Sequence, residues 1–163
     1  MVSDKSKQLF KDNGIYTHGE LEARHEIELE KYIKKVQIEA RLMGDLATNH
    51  IIPASIKYQN VLLKNVSLLR EAALPENLYK GQLTLLKDVS THIQQVYDNV
   101  NDMVEARKVA NNIEDTRAKA IAYEAKVKAQ YFDKIRYHVD KLEELVDDEL
   151  WTLPKYRELL FLR

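Results

Sequence analysis

The chain of 163 residues contains no cysteine and has few of the residues that interrupt helices, with four glycines and three prolines. Without cysteine it can form neither a disulfide framework nor a thiolate metal site, which fits a reducing compartment. The scarcity of glycine and proline leaves little room for the phosphate-binding loops and turns on which much catalytic chemistry is built. The composition therefore predicts long helices that serve as an interaction domain.

The chain also lacks an excess of charge of either sign and has no long apolar run. Charged residues make up 31% of the chain, yet the net charge is only −1. No stripe of Lys and Arg is long enough to track phosphates, so we expect no nucleic-acid partner. No apolar run approaches the roughly 20 residues needed to cross a bilayer, and the N-terminus has no signal-peptide core. We therefore expect a cytoplasmic chain without a membrane partner.

Helix start and stop signals divide the chain. Ser3 suits an N-cap and Gly14 a left-handed C-cap, while Thr17 and Glu20 form a capping-box pattern. Pro53 lies inside a helical pattern and predicts a kink. We predict a single domain over residues 1–163, with these parts: a short helix over 4–13, a long kinked helix over 18–73, a long helix over 76–126, a helix over 129–148 and a docking tail over 150–163.

Apolar residues recur at coiled-coil spacing. The clearest row contains Val89, Val96, Met103 and Ala110. This row predicts that the second long helix folds back antiparallel to the first. The break before the last helix is poorly marked, and we place it near residues 127–129. The expected fold is all-α, an elongated antiparallel helical bundle or coiled-coil hairpin of long helices with a docked C-terminal tail.

Two sets of apolar residues have no obvious partner within such a bundle. Ile38, Leu42 and Leu46 lie about 200° around the first long helix from its apolar seam. Aromatic and aliphatic residues also crowd the tail, where they could anchor in an intramolecular groove or at a subunit interface. The interface candidates are Ile38, Leu42, Leu46, Trp151, Tyr156, Leu160 and Phe161.

The end of the last helix is acidic, the unfavourable sign for a helix C-terminus. Its carboxylates, between Glu143 and Glu149, are either a solvated face or are neutralised by Lys155, Arg157 or another basic surface.

No group of residues assembles into a catalytic, cofactor-binding or metal site. Glu22 and His25 have the Glu-x-x-His spacing of di-iron bundles, but such a site needs a second copy that this chain lacks. His50 and His138 fall on apolar seams and could meet as ligands or as a pH-sensitive pair. Core histidines with one hydrogen-bond partner are commoner, and we favour that interpretation. We expect no catalytic, cofactor or metal residue here.

Specific strings of residues resemble the C-terminal region of type III glutamine synthetases. They are SDKSKQLFKDNGIYTHGELEAR at 3–24, IEARLMGDLA at 38–47 with Ile52-Pro53-Ala54, Glu105-Ala106-Arg107-Lys108, and IRYHVDKLEELVDDELWTLPKYRELLF at 135–161. The resemblance covers essentially the whole chain. It implies a parent enzyme that joins ammonia to glutamate with ATP and a divalent metal and forms large rings. The catalytic core, with its ATP and Mg, would precede Met1.

The resemblance thus implies a non-catalytic helical domain that packs on its own catalytic domain and on neighbouring subunits of a homo-oligomer. An alternative is a free-standing helical adaptor that binds a partner helix along its seam. A metal-dependent oxidase bundle is a third hypothesis, which predicts bound iron.

Overall fold

The computed structural model describes residues 3–161, and within this range the chain is helical without a β-strand, which confirms the all-α prediction. The ends of the predicted domain and tail, residues 1–2 and 162–163, lie outside the described residues. The α-helices are α1 (Asp4–Asp12), α2 (His18–Leu46), α3 (Ile52–Glu71), α4 (Lys80–Asn111), α5 (Thr116–Ala122), α6 (Asp133–Leu145) and α7 (Tyr156–Leu159).

Capping residues mark both ends of α1 and the beginning of α2. The Ser3 side chain accepts a hydrogen bond from the Ser6 N–H, and Gly14 follows α1 with φ +61°. Glycine suits this position because a side chain is strained at positive φ. Thr17 and Glu20 form the reciprocal capping box of α2. Hydrogen bonds from the Thr17 N–H and hydroxyl lower the pKa of the Glu20 carboxyl.

The first long rod runs from His18 to Glu71, roughly 80 Å, without a gap. Between α2 and α3 a π-helical segment, Ala47–Ile51, replaces the ordinary turns, and the Ile52 N–H bonds to the Ala47 carbonyl five residues back. Pro53 follows immediately and has no N–H to donate. The wide turns accommodate the proline, so the helix continues past Pro53 without a stop.

The second rod, α4, returns antiparallel to the first. Three cross-links show the direction, because the residue numbers rise on one rod as they fall on the other: Gln37–Asn111, Gln59–Ser90 and Asn65–Gln82. The predicted heptad row on α4 is buried, as expected: Val89, Val96, Met103 and Ala110. This row forms much of the core.

The third rod begins earlier than predicted. α4 ends at Asn111, so the predicted continuous helix over 76–126 is wrong at residues 112–115, where the chain is not helical, and Asp115 caps a new helix by accepting a bond from the Ala118 N–H. From Thr116 the chain stays helical to Leu145 through a π-helical segment, Tyr123–Phe132, so the predicted break near 127–129 is absent. Neither Gly nor Pro occurs between Thr116 and Leu145, so no residue of these types ends the helix there. The wide π-helical turns keep the third rod continuous.

The three rods form one bundle. The third rod contacts α2 through α5 and α4 through α6, so it packs against both other rods. A polar triad around the buried Tyr123 ties them together: the Gln37 amide donates to the Tyr123 hydroxyl at 3.0 Å and to the Asn111 side-chain oxygen at 2.9 Å, and Tyr123 donates to the same Asn111 oxygen. Each rod supplies one residue of this triad.

Candidate functional site

An apolar groove lies between α2, α6 and the C-terminal tail, and its volume is about 510 Å³. Its wall is mostly hydrocarbon, with charged groups among the residues that frame it. The lining residues are Glu39, Leu42, Met43, Leu46 and Ile51 from the first rod, Phe132, Ile135, Arg136, Val139, Asp140 and Glu143 from the third, and Trp151, Leu153, Pro154, Tyr156 and Leu159 from the tail.

Helical spacing explains why α2 contributes to this groove. The buried residues Val36 and Ala40 turn one face of α2 into the bundle core. Leu42 is 54% exposed because it lies on another face, which no described rod covers. An α2 that is apolar on two faces therefore buries one in the core and offers the other to the groove.

The tail closes one side of the groove. α6 ends at Leu145, and Trp151 packs into the core with its side chain buried. The Lys155 ammonium is itself buried and donates to the Val146 carbonyl at 2.8 Å and to Asp148 at 2.6 Å. A buried ammonium with two close oxygens holds the returning chain against the end of α6.

Polar contacts hold α7 at the edge of the groove. Glu143 accepts a hydrogen bond from the Tyr156 N–H at 2.8 Å, and Arg136 donates to the Tyr156 hydroxyl. Arg157 pairs with Asp148, which also binds Lys155. The acidic end of α6 is thus partly neutralised by Lys155 and Arg157, one of the two interpretations that the sequence left open.

Four of the seven predicted interface residues line this one groove: Leu42, Leu46, Trp151 and Tyr156. Ile38 is one turn earlier on α2, is 66% exposed and does not line the groove. Leu160 and Phe161 follow the groove residue Leu159 and lie outside. The tail therefore divides: its first half docks within the chain, and its tip does not.

Comparison with known proteins assigns a family. The glutamine synthetase C-terminal domain family matches residues 1–70. A glutamine synthetase from Bacteroides fragilis (strain YCH46) is 45% identical over 163 residues, covering 98% of this chain and 22% of the relative. The chain belongs to the glutamine synthetase C-terminal domain family.

Two further relatives agree with this membership. The type-3 glutamine synthetase of Dictyostelium discoideum is 30% identical, over 99% of this chain and 22% of the relative. A glutamine synthetase from Butyrivibrio fibrisolvens is 28% identical, over 98% of this chain and 23% of the relative. The chain thus spans about a fifth of the length of these curated relatives.

Within residues 3–161 no three His, Asp or Glu side chains converge in a way that could hold a metal ion. Glu22, considered above with His25, instead accepts a hydrogen bond from Lys7 at 3.0 Å and lies 3.7 Å from His18. The bond from Lys7 lowers the pKa of the Glu22 carboxyl. Among the helices of this described range, none combines the length and the apolar character required to span a membrane.

His50 and His138, which lie on apolar seams, each have a different hydrogen-bond partner. His138 meets His92 and not His50, and the two Nδ1 atoms are 2.8 Å apart. His50 approaches the hydroxyl of Thr152 in the tail at 3.4 Å. The His50–His138 pair, the less favoured of the two interpretations, is therefore not formed, because it required a register between the first and third rods that apolar spacing within each helix does not define.

The groove wall supplied by α6 was missed by sequence reasoning. Ile135 and Val139 of α6 and Leu153 of the tail line the groove, and none of them was among the predicted interface residues. Val139 follows Ile135 at i+4 on α6, so helical spacing was the available signal. No comparable pattern in the sequence predicted how the tail, through Pro154 and Lys155, packs back against the end of α6.

Proposed function

We propose that this chain is the non-catalytic C-terminal helical domain of a type III glutamine synthetase, a glutamate–ammonia ligase. In this role it packs on the enzyme's catalytic core and supports assembly of the homo-oligomer in the cytoplasm. ATP and Mg would bind to the catalytic core and not to this domain. The single observation that carries the proposal is the open apolar groove framed by Leu42, Leu46 and Trp151.

The chemistry of the groove supports a protein contact. Apolar surface removed from water stabilises an interface by roughly 25 cal/mol per Å². Leu42 stays 54% exposed although its neighbours on the other face of α2 are buried. A domain that is about a fifth of its relatives' length has a large remainder of the enzyme available to cover such a surface. The type-3 description of one relative supports the choice of subclass.

The experiment uses the complete enzyme that contains this domain. Leu42→Ser removes apolar surface from the groove, and Leu68→Ser is the matched control, because Leu68 on α3 is 53% exposed and lies outside the groove. Analytical ultracentrifugation and glutamine synthesis are measured for both. Leu42→Ser is expected to reduce the assembled fraction and the activity, whereas Leu68→Ser leaves both unchanged. Unchanged assembly of Leu42→Ser would overturn the proposal.

A further inference from the structure

Asn13 and Gly14, at the end of α1, place a side-chain amide next to an unobstructed backbone nitrogen. Asn13 is the C-cap residue of α1, and it is the one asparagine of the chain that a glycine follows. Both residues are exposed to solvent. The backbone nitrogen after an asparagine can attack the side-chain amide, and a following glycine has no side chain to block the approach. The pair is therefore a candidate site of covalent modification.

Local hydrogen bonds hold the two reacting groups of this turn. The Gly14 N–H donates to the Lys11 carbonyl at 3.0 Å. The Asn13 side-chain amide donates to the Leu9 carbonyl at 2.8 Å. Both acceptors belong to the last turn of α1 itself, so the reaction needs only this turn to open and leaves the bundle core intact.

The last turn of α1 opens readily because little holds this helix. α1 has nine residues, and none of them is buried. A helix this short is marginal on its own and depends on packing. Its contacts with α2 and the preceding turn include the exposed pair of Lys7 with Glu22 at 3.0 Å and the ring of Phe10 tilted against that of Tyr16. Segments with few buried contacts open at a small free-energy cost.

We infer that Asn13 deamidates spontaneously in the folded domain and that this change releases α1 from α2. In the opened turn the Gly14 nitrogen gives its proton to solvent and bonds to the carbonyl carbon of the Asn13 side chain. The bond from that carbon to Nδ2 breaks, and the nitrogen leaves as ammonia with a proton from water. Water then opens the succinimide ring at either carbonyl, which leaves an aspartate or an isoaspartate at position 13. No oxidant or reductant takes part.

The product cannot hold the end of α1 as asparagine does. A carboxylate has no N–H to donate to the Leu9 carbonyl, and its negative charge lies at the negative end of the helix dipole. An isoaspartate also adds a carbon to the backbone, which disrupts the hydrogen-bond spacing of the Schellman turn. The modified α1 frays from this end, and the contact of Lys7 with Glu22 is lost with it.

Asn112 provides a comparison within the same chain. It caps α4 with φ −79° and ψ −3°, close to the φ −91° and ψ 5° of Asn13, and it is also exposed. Ile113 follows it, and a β-branched side chain obstructs the backbone nitrogen. Asn112 is therefore expected to keep its amide.

Gly14→Ala separates the role of glycine from the ease of opening. Gly14 has φ +61°, so an alanine there is strained and favours opening of the turn. A Cβ at this position meets no atom within 4 Å, so the variant keeps its fold. Slower reaction of Gly14→Ala, in spite of easier opening, identifies attack by the Gly14 nitrogen.

Peptide mapping tests the modification. The full chain and Gly14→Ala are incubated for days at mildly alkaline pH, digested with trypsin and analysed by mass spectrometry. In the unaltered chain, peptide 12–24 is expected to gain one dalton several-fold faster than peptide 109–117, which contains Asn112. Gly14→Ala is expected to slow the gain several-fold. A peptide 12–24 that changes no faster than peptide 109–117, or a rate that Gly14→Ala leaves unaltered, would overturn the inference.

Hydrogen exchange tests the release of α1. Asn13→Asp reproduces one product of the reaction, and Asn112→Asp is the matched control. Amide exchange of residues 4–12 is expected to be several-fold faster in Asn13→Asp than in the unaltered chain, and unchanged in Asn112→Asp. Equal exchange of residues 4–12 in Asn13→Asp and the unaltered chain would show that α1 stays docked, against the inference.

Discussion

The Nδ1 atoms of His92 and His138 lie 2.8 Å apart at the contact between α4 and α6. One imidazole must donate and the other accept, so at least one of the two rings is neutral. The ring centroids are 5.1 Å apart, and the Tyr137 ring stands edge-on to both imidazoles. Partial burial, together with the charge that His92 can carry, lowers the pKa of His138.

This pair predicts that the domain loses stability in mild acid. An unfolded histidine titrates near its ordinary pKa of about 6.5. Because the pKa of His138 is lower in the folded state, the unfolded state takes up the proton first as pH falls below that value. The free energy of unfolding therefore decreases from about pH 6.5 downward until the folded-state pKa is passed. Above that window His138 contributes no pH dependence.

Urea unfolding at a series of pH values between 5 and 8 measures the effect. His138→Gln should flatten the pH dependence, whereas His25→Gln on α2 should leave its slope unchanged. An unaltered slope in His138→Gln would contradict the assignment to this pair.

The turn after α3 contains an alanine in a left-handed conformation. Ala73 has φ +53°, and its N–H bonds to the Arg70 carbonyl at 2.9 Å while the Leu74 N–H bonds to Leu69 at 3.2 Å. This Schellman turn favours glycine, as Gly14 shows after α1. Ala73→Gly is predicted to stabilise the domain by about 0.5–1 kcal/mol, because the left-handed strain of a side chain outweighs the backbone entropy of glycine.

Thermal unfolding checks this prediction against a neighbouring alanine. Ala72 has φ −73°, so Ala72→Gly gains no relief of strain and is expected to lower the melting temperature. A loss of stability in Ala73→Gly would show that the turn is not strained.

The Gln37–Asn111–Tyr123 triad predicts a specific cost for losing one hydroxyl. Tyr123 is fully buried, and its hydroxyl bonds to both other members. Tyr123→Phe keeps the ring but removes a donor and an acceptor, so we expect a loss of about 1–2 kcal/mol. Tyr97→Phe is the control because Tyr97 is exposed, and it should change stability by less than about 0.5 kcal/mol. Equal denaturation midpoints for the two variants would contradict a role of the triad in joining the rods.

Docking of the tail depends on Lys155. Lys155→Met leaves the Val146 carbonyl without its donor, and the expected loss is about 1–3 kcal/mol. Trp151 is the single tryptophan of the chain and is buried beside this contact, so its emission should shift to longer wavelength as the tail loosens. Lys141→Met removes only a surface pair with Glu144 and should leave the emission unchanged. An unshifted spectrum in Lys155→Met would mean that the tail docks without this ammonium.

Local signals in the sequence predicted the local structure. Ser3, Gly14 and Thr17 cap helices where expected, because a capping residue acts on backbone groups within one turn of itself. The α4 row from Val89 to Ala110 is buried because apolar spacing reports which side of a helix faces the core. These features need no knowledge of the neighbouring rods.

The contacts between rods could not be predicted from the sequence in the same way. No pattern in the sequence marked Asn111 as a link between rods, yet it joins the triad because α4 ends beside Gln37 and Tyr123. The π-helical segment Tyr123–Phe132 keeps the third rod continuous and rotates the residues that follow it. The register between neighbouring helices therefore determines that His92 meets His138 and which residues line the groove. The exposed second face of α2 was visible in the sequence, but its neighbours α6 and the tail were not.

Hydroxyl-radical footprinting of the complete enzyme tests most directly whether the groove is an assembly surface. Oxidation rates of Leu42 and Leu46 are compared between the assembled enzyme and this domain alone at a concentration where it is monomeric. The predicted result is strong protection of both leucines in the assembled enzyme. Equal oxidation of Leu42 and Leu46 in the two samples would contradict an assembly role for the groove.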